Sequence, residues 1–388
     1  MEKNFTFRGS YAIIPIILII IGVVSVVALI FFRHDHDTGF WSNLLLNNLL
    51  FIFIALAAMV FLSLHALGTS GWQTSIQRIP EAMTTFLPVG FVLMLIMLAG
   101  MWTDQAHIFH WVHPEPGDEI IEMKKPYLNL PFFSFRTIIY ISGWILFAWL
   151  WRRNSLKQDS DNDLKYFKRT NTIGAAFMVF FAITSSMAAW DWLMSIDPHW
   201  FSTLFGWYVF SSLLVCGIAV IILLVLLLKW KGFLPHVNKE HIHDLGIYLF
   251  AFSVFWAYLW FSQYMLIWYG NLPEETVYYI ERLKNFRVLF FLNLILNFLV
   301  PFLALMARNS KRMTVILALV AVVVFVGHWV DFYLMIMPGA AGEHAQIGMT
   351  IGYIGMFLLV FFRALSKANL LPVNHPYLKE SFEYHTQY

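Results

Sequence analysis

Apolar positions along this chain come in long unbroken runs, and polar ones collect between them. Runs of about 18 or more apolar residues mark membrane-spanning helices. Ten such runs stand out: Tyr11–Phe32, Leu44–Leu67, Thr84–Thr103, Phe133–Trp151, Asn171–Leu193, Thr203–Leu228, Leu245–Ile267, Val288–Ala307, Thr314–Ile336 and Gln346–Leu365. A transmembrane barrel would instead show polar residues at every second position. The pattern predicts an all-α integral membrane protein with ten transmembrane helices. The first run is too long for a signal peptide and lacks a small-residue cleavage site, so an uncleaved start at Met1 is expected.

Composition agrees with the pattern. Of the 388 residues, 60% are hydrophobic and 12% charged, against about 25% charged in soluble domains. The net charge of +2 says little, but its distribution sets an orientation. Ten crossings put both termini on one side, and 18 of the 25 Lys and Arg fall there. Loops rich in Lys and Arg stay cytoplasmic, so both termini are expected in the cytoplasm. The single cysteine, Cys216, lies inside a run. It excludes cysteine-ligated clusters, intrachain disulfides and covalent haem attachment, and reads as a small packing residue.

The chain also repeats itself. The fifth run ends D-W-L-M-S-I-D-P over 191–198, and the ninth ends D-F-Y-L-M-I-M-P over 331–338. The fourth opens "SFRTII" with Arg136, and the eighth opens "NFRVLF" with Arg287. These matches predict two parallel-repeat four-helix bundles, helices 2–5 and 6–9, flanked by helices 1 and 10. The expected organisation is residues 1–43 as first helix and outer loop and 44–202 as first bundle. Residues 203–343 form the second bundle and 344–388 the last helix with a cytoplasmic tail, a docking arm or partly disordered.

Candidate chemistry gathers at the outer ends of these helices. An intramembrane charge is costly and normally faces the bundle interior with a partner. The simplest pairs are Arg136 with Asp191 and Arg287 with Asp331. Asp104 and His107 end the third run, and His328 and Gln263 belong to the same level of the second bundle. One reading is that the pairs only fix packing. The other is a polar cavity that handles protons or a quinol head group, since quinol oxidation releases protons to a carboxylate or histidine beside an apolar slot. His65, near the cytoplasmic end of the second run, either starts a proton path or snorkels to the interface. Most tryptophans suit an interfacial belt, including those that hold the turn around Asp197 and His199.

Metal is not expected. His107, His110 and His113 are followed by Pro114, and no carboxylate completes a known ligand spacing. The "HDHD" run at 34–37 reads as a solvated loop, and no pair of inner histidines suits haem. Nothing points to nucleic acid.

The double bundle, the "FR" openings and the stretch "WDWLMSIDPHWF" over 190–201 together resemble the polysulfide-reductase-like, or NrfD-like, membrane subunits. Within that family the chain is most similar to the subunits of alternative complex III, a respiratory quinol:electron acceptor oxidoreductase with two such members; its length resembles the shorter. The resemblance implies a multi-pass subunit of the bacterial cytoplasmic membrane with no covalently bound cofactor, quinol (menaquinol) as its candidate ligand, and lipids around it. Implied partners are the larger paralogous subunit, a multihaem cytochrome c, a periplasmic iron–sulfur subunit and smaller membrane subunits, with a cytochrome c oxidase as a candidate neighbour. It also implies a quinol site at the outer face of the first bundle, where Asp104, His107, Arg136 and Asp191 match. Menaquinol oxidation in that complex belongs chiefly to the longer paralogue, which leaves quinol binding, proton conduction or scaffolding as roles here. The competing readings are an inert membrane anchor and a stand-alone secondary transporter. Gly- or Pro-broken helices at matched positions would favour the transporter, but Pro198 and Pro338 fall at helix ends.

Overall fold

In the computed structural model, residues 5–32, 38–340 and 346–385 are described; the 34–37 run lies outside them. They form helices and no strands. Ten helices are long and apolar enough to cross a membrane. They are α1 (Ser10–Phe32), α2 (Thr38–Leu67), α3 (Arg78–Trp102), α4 (Leu130–Ser160), α5 (Leu164–Trp192), α6 (Phe205–Trp230), α7 (Lys239–Gly270), α8 (Arg287–Leu305), α9 (Thr314–Ile336) and α10 (Ile347–Leu365).

Several helices outrun their apolar cores because their polar ends are capped. Asn129, Asp163 and Asn238 each accept backbone N–H groups at the start of α4, α5 and α7, satisfying donors that the first turn leaves free. Two spans are interrupted. α3 passes through a short 3₁₀ stretch at Thr84–Phe86. α8 widens into a π-helical turn at Ile295–Leu299. Pro301 has no N–H for the carbonyl one turn before it, and the π turn sits at that vacancy.

The buried centre is α2 against α6, both enclosed along most of their length. Helices α2, α3, α4 and α5 each pack on the next and close back on α2, and α6 to α9 close in the same way. α1 lies along α10. Between helices, lipid supplies no hydrophobic drive, so close backbone approach matters. A Cβ on Gly352 would meet the Gly22 Cα at 2.8 Å.

Phe5 stacks on Phe362 at 5.7 Å and meets Phe233 at 5.3 Å, so the start of the chain and the ends of α6 and α10 share one face. We call it the tail face, and the opposite one the far face. Between α7 and α8 the far face carries an amphipathic helix, Pro273–Asn285, where the apolar runs offer no span. Glu274 and Glu275 at its start and Arg282 and Lys284 at its end suit the helix dipole.

The C-terminal segment docks. Ser381 accepts from Ser75 N at 3.1 Å and donates to Trp72 O at 2.7 Å, and Asn374 donates to Gln158 O at 3.0 Å. His375 holds this arm through an unprotonated ring nitrogen. Tyr377 N donates to its Nδ1 at 3.3 Å. Burial lowers its pKa from 6.5 to about 4, with Glu81 opposing and Arg78 reinforcing the shift. The undocked arm therefore binds the extra proton more readily between those values. Docking is expected to be full above pH 6.5 and to weaken as pH falls towards about 4. Hydrogen exchange at amides 373–384, measured against the intrinsic rate at each pH, should rise over that window, and His375→Gln should reduce the rise.

Candidate functional site

Both far-face aspartates are buried, and they have different partners. Asp191, near the end of α5, is fully enclosed and accepts from Arg136 Nε at 2.8 Å and Nη2 at 2.8 Å. Tyr140 OH adds a third bond at 3.1 Å. The guanidinium also donates to Tyr127 O at 3.0 Å and lies over the Tyr127 and Phe132 rings. Burial and the Asp191 charge push the Tyr127 phenol up to about 12, so it stays protonated. This is a fully satisfied bidentate pair, the geometry that gives arginine–carboxylate contacts their strength. The charge of this carboxylate is already met by a fixed cation.

Asp331, near the end of α9, has no arginine. The expected partner Arg287 is exposed at the start of α8. The interfacial helix 273–285 buries Arg282 instead, and Arg282 donates to Leu334 O at 2.9 Å and Tyr278 O at 2.8 Å. The Asp331 carboxylate is held by neutral donors. Oδ1 accepts from Tyr208 OH and, at 2.7 Å, from Asn293 Nδ2. Oδ2 accepts from Ser212 Oγ at 2.7 Å and Trp256 Nε1 at 3.0 Å. Asn297 Nδ2 donates to Asn293 Oδ1 at 2.6 Å. The π turn of α8 includes Asn297 and begins two residues after Asn293, so the helix irregularity falls within this polar chain. Single π turns inside α-helices recur at functional sites.

Beside this carboxylate sit polar groups with nothing to bond. His328 is fully buried, its Nδ1 is 3.5 Å from Asp331 Oδ2, and neither ring nitrogen makes a hydrogen bond. Both side-chain polar atoms of Gln263 are likewise buried and unpartnered. Such groups in a native interior call for a water or a ligand. A cavity of about 20 Å³ is bordered by Gln263, Tyr279 and Arg282 together with two of the Asp331 donors, Tyr208 and Asn293. That is room for one water, far below the few hundred Å³ of a typical small-molecule site. Burial raises the Tyr278 and Tyr279 pKa values, so these phenols stay neutral. Two larger cavities among the described residues, about 430 Å³ near Arg152 and Trp149 and about 250 Å³ against α1 and α10, are apolar and border neither the aspartates nor their donors.

The other expected positions separate. Asp104 and His107 are exposed in the far-face loop after α3, bonded to one another's neighbourhood and not to Arg136 or Asp191. Gln263, His328 and Asp331 do share one end of the second helix group. His65 is 3% exposed and does not snorkel: Phe61, Trp72 and Tyr248 rings surround it at 4.3–5.4 Å, and its Nε2 has no partner. Two of the three tryptophans near Asp191 do not face lipid, and Trp190 is half-buried. Trp192 and Trp200 are buried, and Trp192 donates to Thr137 Oγ1 at 3.0 Å. His199 bonds Asp118 Oδ2 at 2.7 Å on the exposed turn.

A third buried network, on the tail face, has no counterpart in the sequence reading. Arg78 reaches Glu81 at 2.7 Å, Asp159 at 2.6 Å and Ser155 Oγ at 2.8 Å, and Ser155 donates to Glu81 at 2.6 Å. The available signal was "RIPE" over 78–81, a charge pair three residues apart at the entrance to an apolar run.

No protein-family model matches the chain, and no curated protein is significantly similar to it.

Proposed function

We propose that this chain is a proton-handling membrane subunit of a respiratory quinol:electron acceptor oxidoreductase, with the Asp331 cluster as its proton-exchange site on the periplasmic side. In this reading helices α2–α5 and α6–α9 are the two copies of a parallel repeat, and the termini are cytoplasmic. The single observation behind it is a fully buried carboxylate with no arginine or lysine, next to a histidine without hydrogen bonds. Two of its four donors, Tyr208 and Ser212, are hydroxyls that can rotate to accept instead. The cluster therefore suits either protonation state of Asp331, which a locked ion pair does not.

The size of the cavity favours relaying protons through water over seating a quinol head group within this chain. The quinol would be oxidised in the assembly, with the larger paralogue as its binding partner and a multihaem cytochrome c and an iron–sulfur subunit carrying electrons away. The transporter reading gains little. Its matched mid-membrane breaks would fall in corresponding helices, whereas the interruptions lie in α3 and α8, the second and third helices of the two groups.

Purification from native membranes tests the assignment. The chain is expected to co-purify with c-type haem absorbance and quinol-dependent acceptor reduction. Recovery as a lone, haem-free protein that carries a solute across vesicles would overturn it.

A further inference from the structure

The loop that follows α3 is anchored from below and bare above. Gln105 N and Ala106 N both return to Gly100 O, at 2.9 and 3.1 Å, and Asp104 takes a left-handed backbone with φ 58°. Ala106, Ile108, Phe109 and Trp111 are buried, and Trp111 donates to Ser195 Oγ at 3.3 Å. His110 is tied to Gly339 O at 3.1 Å. Exposed beside them, and tied to no other element, are the ionisable side chains of Asp104, His107 and His113.

These three converge. His113 Nε2 lies 2.7 Å and His107 Nδ1 3.6 Å from Asp104 Oδ1, and one ligand atom from each residue falls within 4.8 Å of the others. A lone aspartate–histidine hydrogen bond would account for His113 alone. It would not bring a second imidazole to the same oxygen. We propose that Asp104, His107 and His113 form a binding site for a divalent transition-metal ion, with Zn²⁺ as its principal ligand.

The donor set decides the class of ion. Two imidazole nitrogens and one carboxylate oxygen, with the fourth side open to solvent, match three-ligand zinc sites that keep a water in the remaining position. Imidazole suits zinc and its first-row neighbours. Calcium and magnesium need six or more oxygens, and this cluster offers one carboxylate. Asp104, His107 and His113 match no known ligand spacing along the sequence. The carboxylate lies upstream, and the left-handed turn at Asp104 folds it back over the histidines. The site is independent of the proton-exchange reading, since none of its residues touches Asp331 or Asp191.

The test is a titration of tag-free, full-length protein in detergent with Zn²⁺ alone, followed by calorimetry. It uses a His34→Ala/His36→Ala background, because the 34–37 run offers the same ligand chemistry. One equivalent of Zn²⁺ should bind per chain. Asp104→Asn, which tolerates the left-handed backbone, and His107→Ala and His113→Ala should each weaken binding by at least about tenfold. His110→Ala should leave it unchanged. Co²⁺ should give visible absorption bands that Zn²⁺ abolishes. All three ligand variants are exposed, and an unchanged thermal midpoint verifies that they fold. Absence of binding, binding indifferent to these three substitutions, or equal binding of Mg²⁺ would overturn the site.

Discussion

Asp191→Asn is expected to destabilise the folded chain by about 3–5 kcal/mol, because it strands the Arg136 guanidinium in the interior without its countercharge. Both partners are almost completely enclosed, at 0% and 4% side-chain exposure. The amide can still accept one hydrogen bond, but it cannot neutralise the cation. Removing both charges should be far milder, since an apolar pair spares the desolvation of two ions. A double-mutant cycle with Arg136→Leu and Asp191→Leu, read by unfolding in mixed micelles, should therefore return a large coupling between the two sites. If Asp191→Asn unfolds like the parent chain, the pair is not structural, and the first helix group regains its claim to the proton chemistry.

The parts of this molecule that were legible in its sequence are those governed by local composition. All ten spans follow from apolar runs, because lipid admits a helix only where the side chains tolerate hydrocarbon. Thr314–Ile336 agrees to the residue, and capped polar turns carry the starts of α4, α5 and α7 three to seven residues beyond the apolar runs. Arg136 with Asp191 was legible too, as one cation and one anion at the same depth. The second group misled for a reason of packing. Arg287 occupies the matching place in the sequence, yet the amphipathic helix before it turns Arg282 inward instead. Asn293 and Asn297 are uncharged and stand in an apolar run, and only the packing of α8 on α9 brings them to Asp331. Glu81 and Asp159 lie 78 residues apart and meet only through Arg78 in the folded chain. Asp104 and His113 likewise needed a left-handed turn that no hydrophobic period encodes.

The Asp331 cluster allows a variant that removes the exchangeable proton and little else. Asp331→Asn is expected to lower quinol-driven turnover of the purified assembly by about a hundredfold, the scale of a lost acid–base group, with haem content unchanged. Structural tolerance follows from the donors. Trp256 can only donate, so the new carbonyl oxygen should remain on its side, facing Ser212 as well. The new NH₂ then faces Tyr208 and Asn293. Tyr208 can rotate to accept, and Asn293 can turn its amide over. Its displaced NH₂ meets the Asn297 side chain, whose Oδ1 is buried without a partner and able to accept after its own rotation. The polar chain can thus reverse with one bare atom at Asn297 before and after, its NH₂ taking the place of its Oδ1, and the fold should survive a change that the Arg136–Asp191 pair would not. Tyr208→Phe should give a smaller loss, because Ser212 still supplies one rotor. Acceptor reduction by the intact assembly, normalised to c-type haem, measures both. Full turnover with Asp331→Asn would place the proton path elsewhere and leave the cluster as packing.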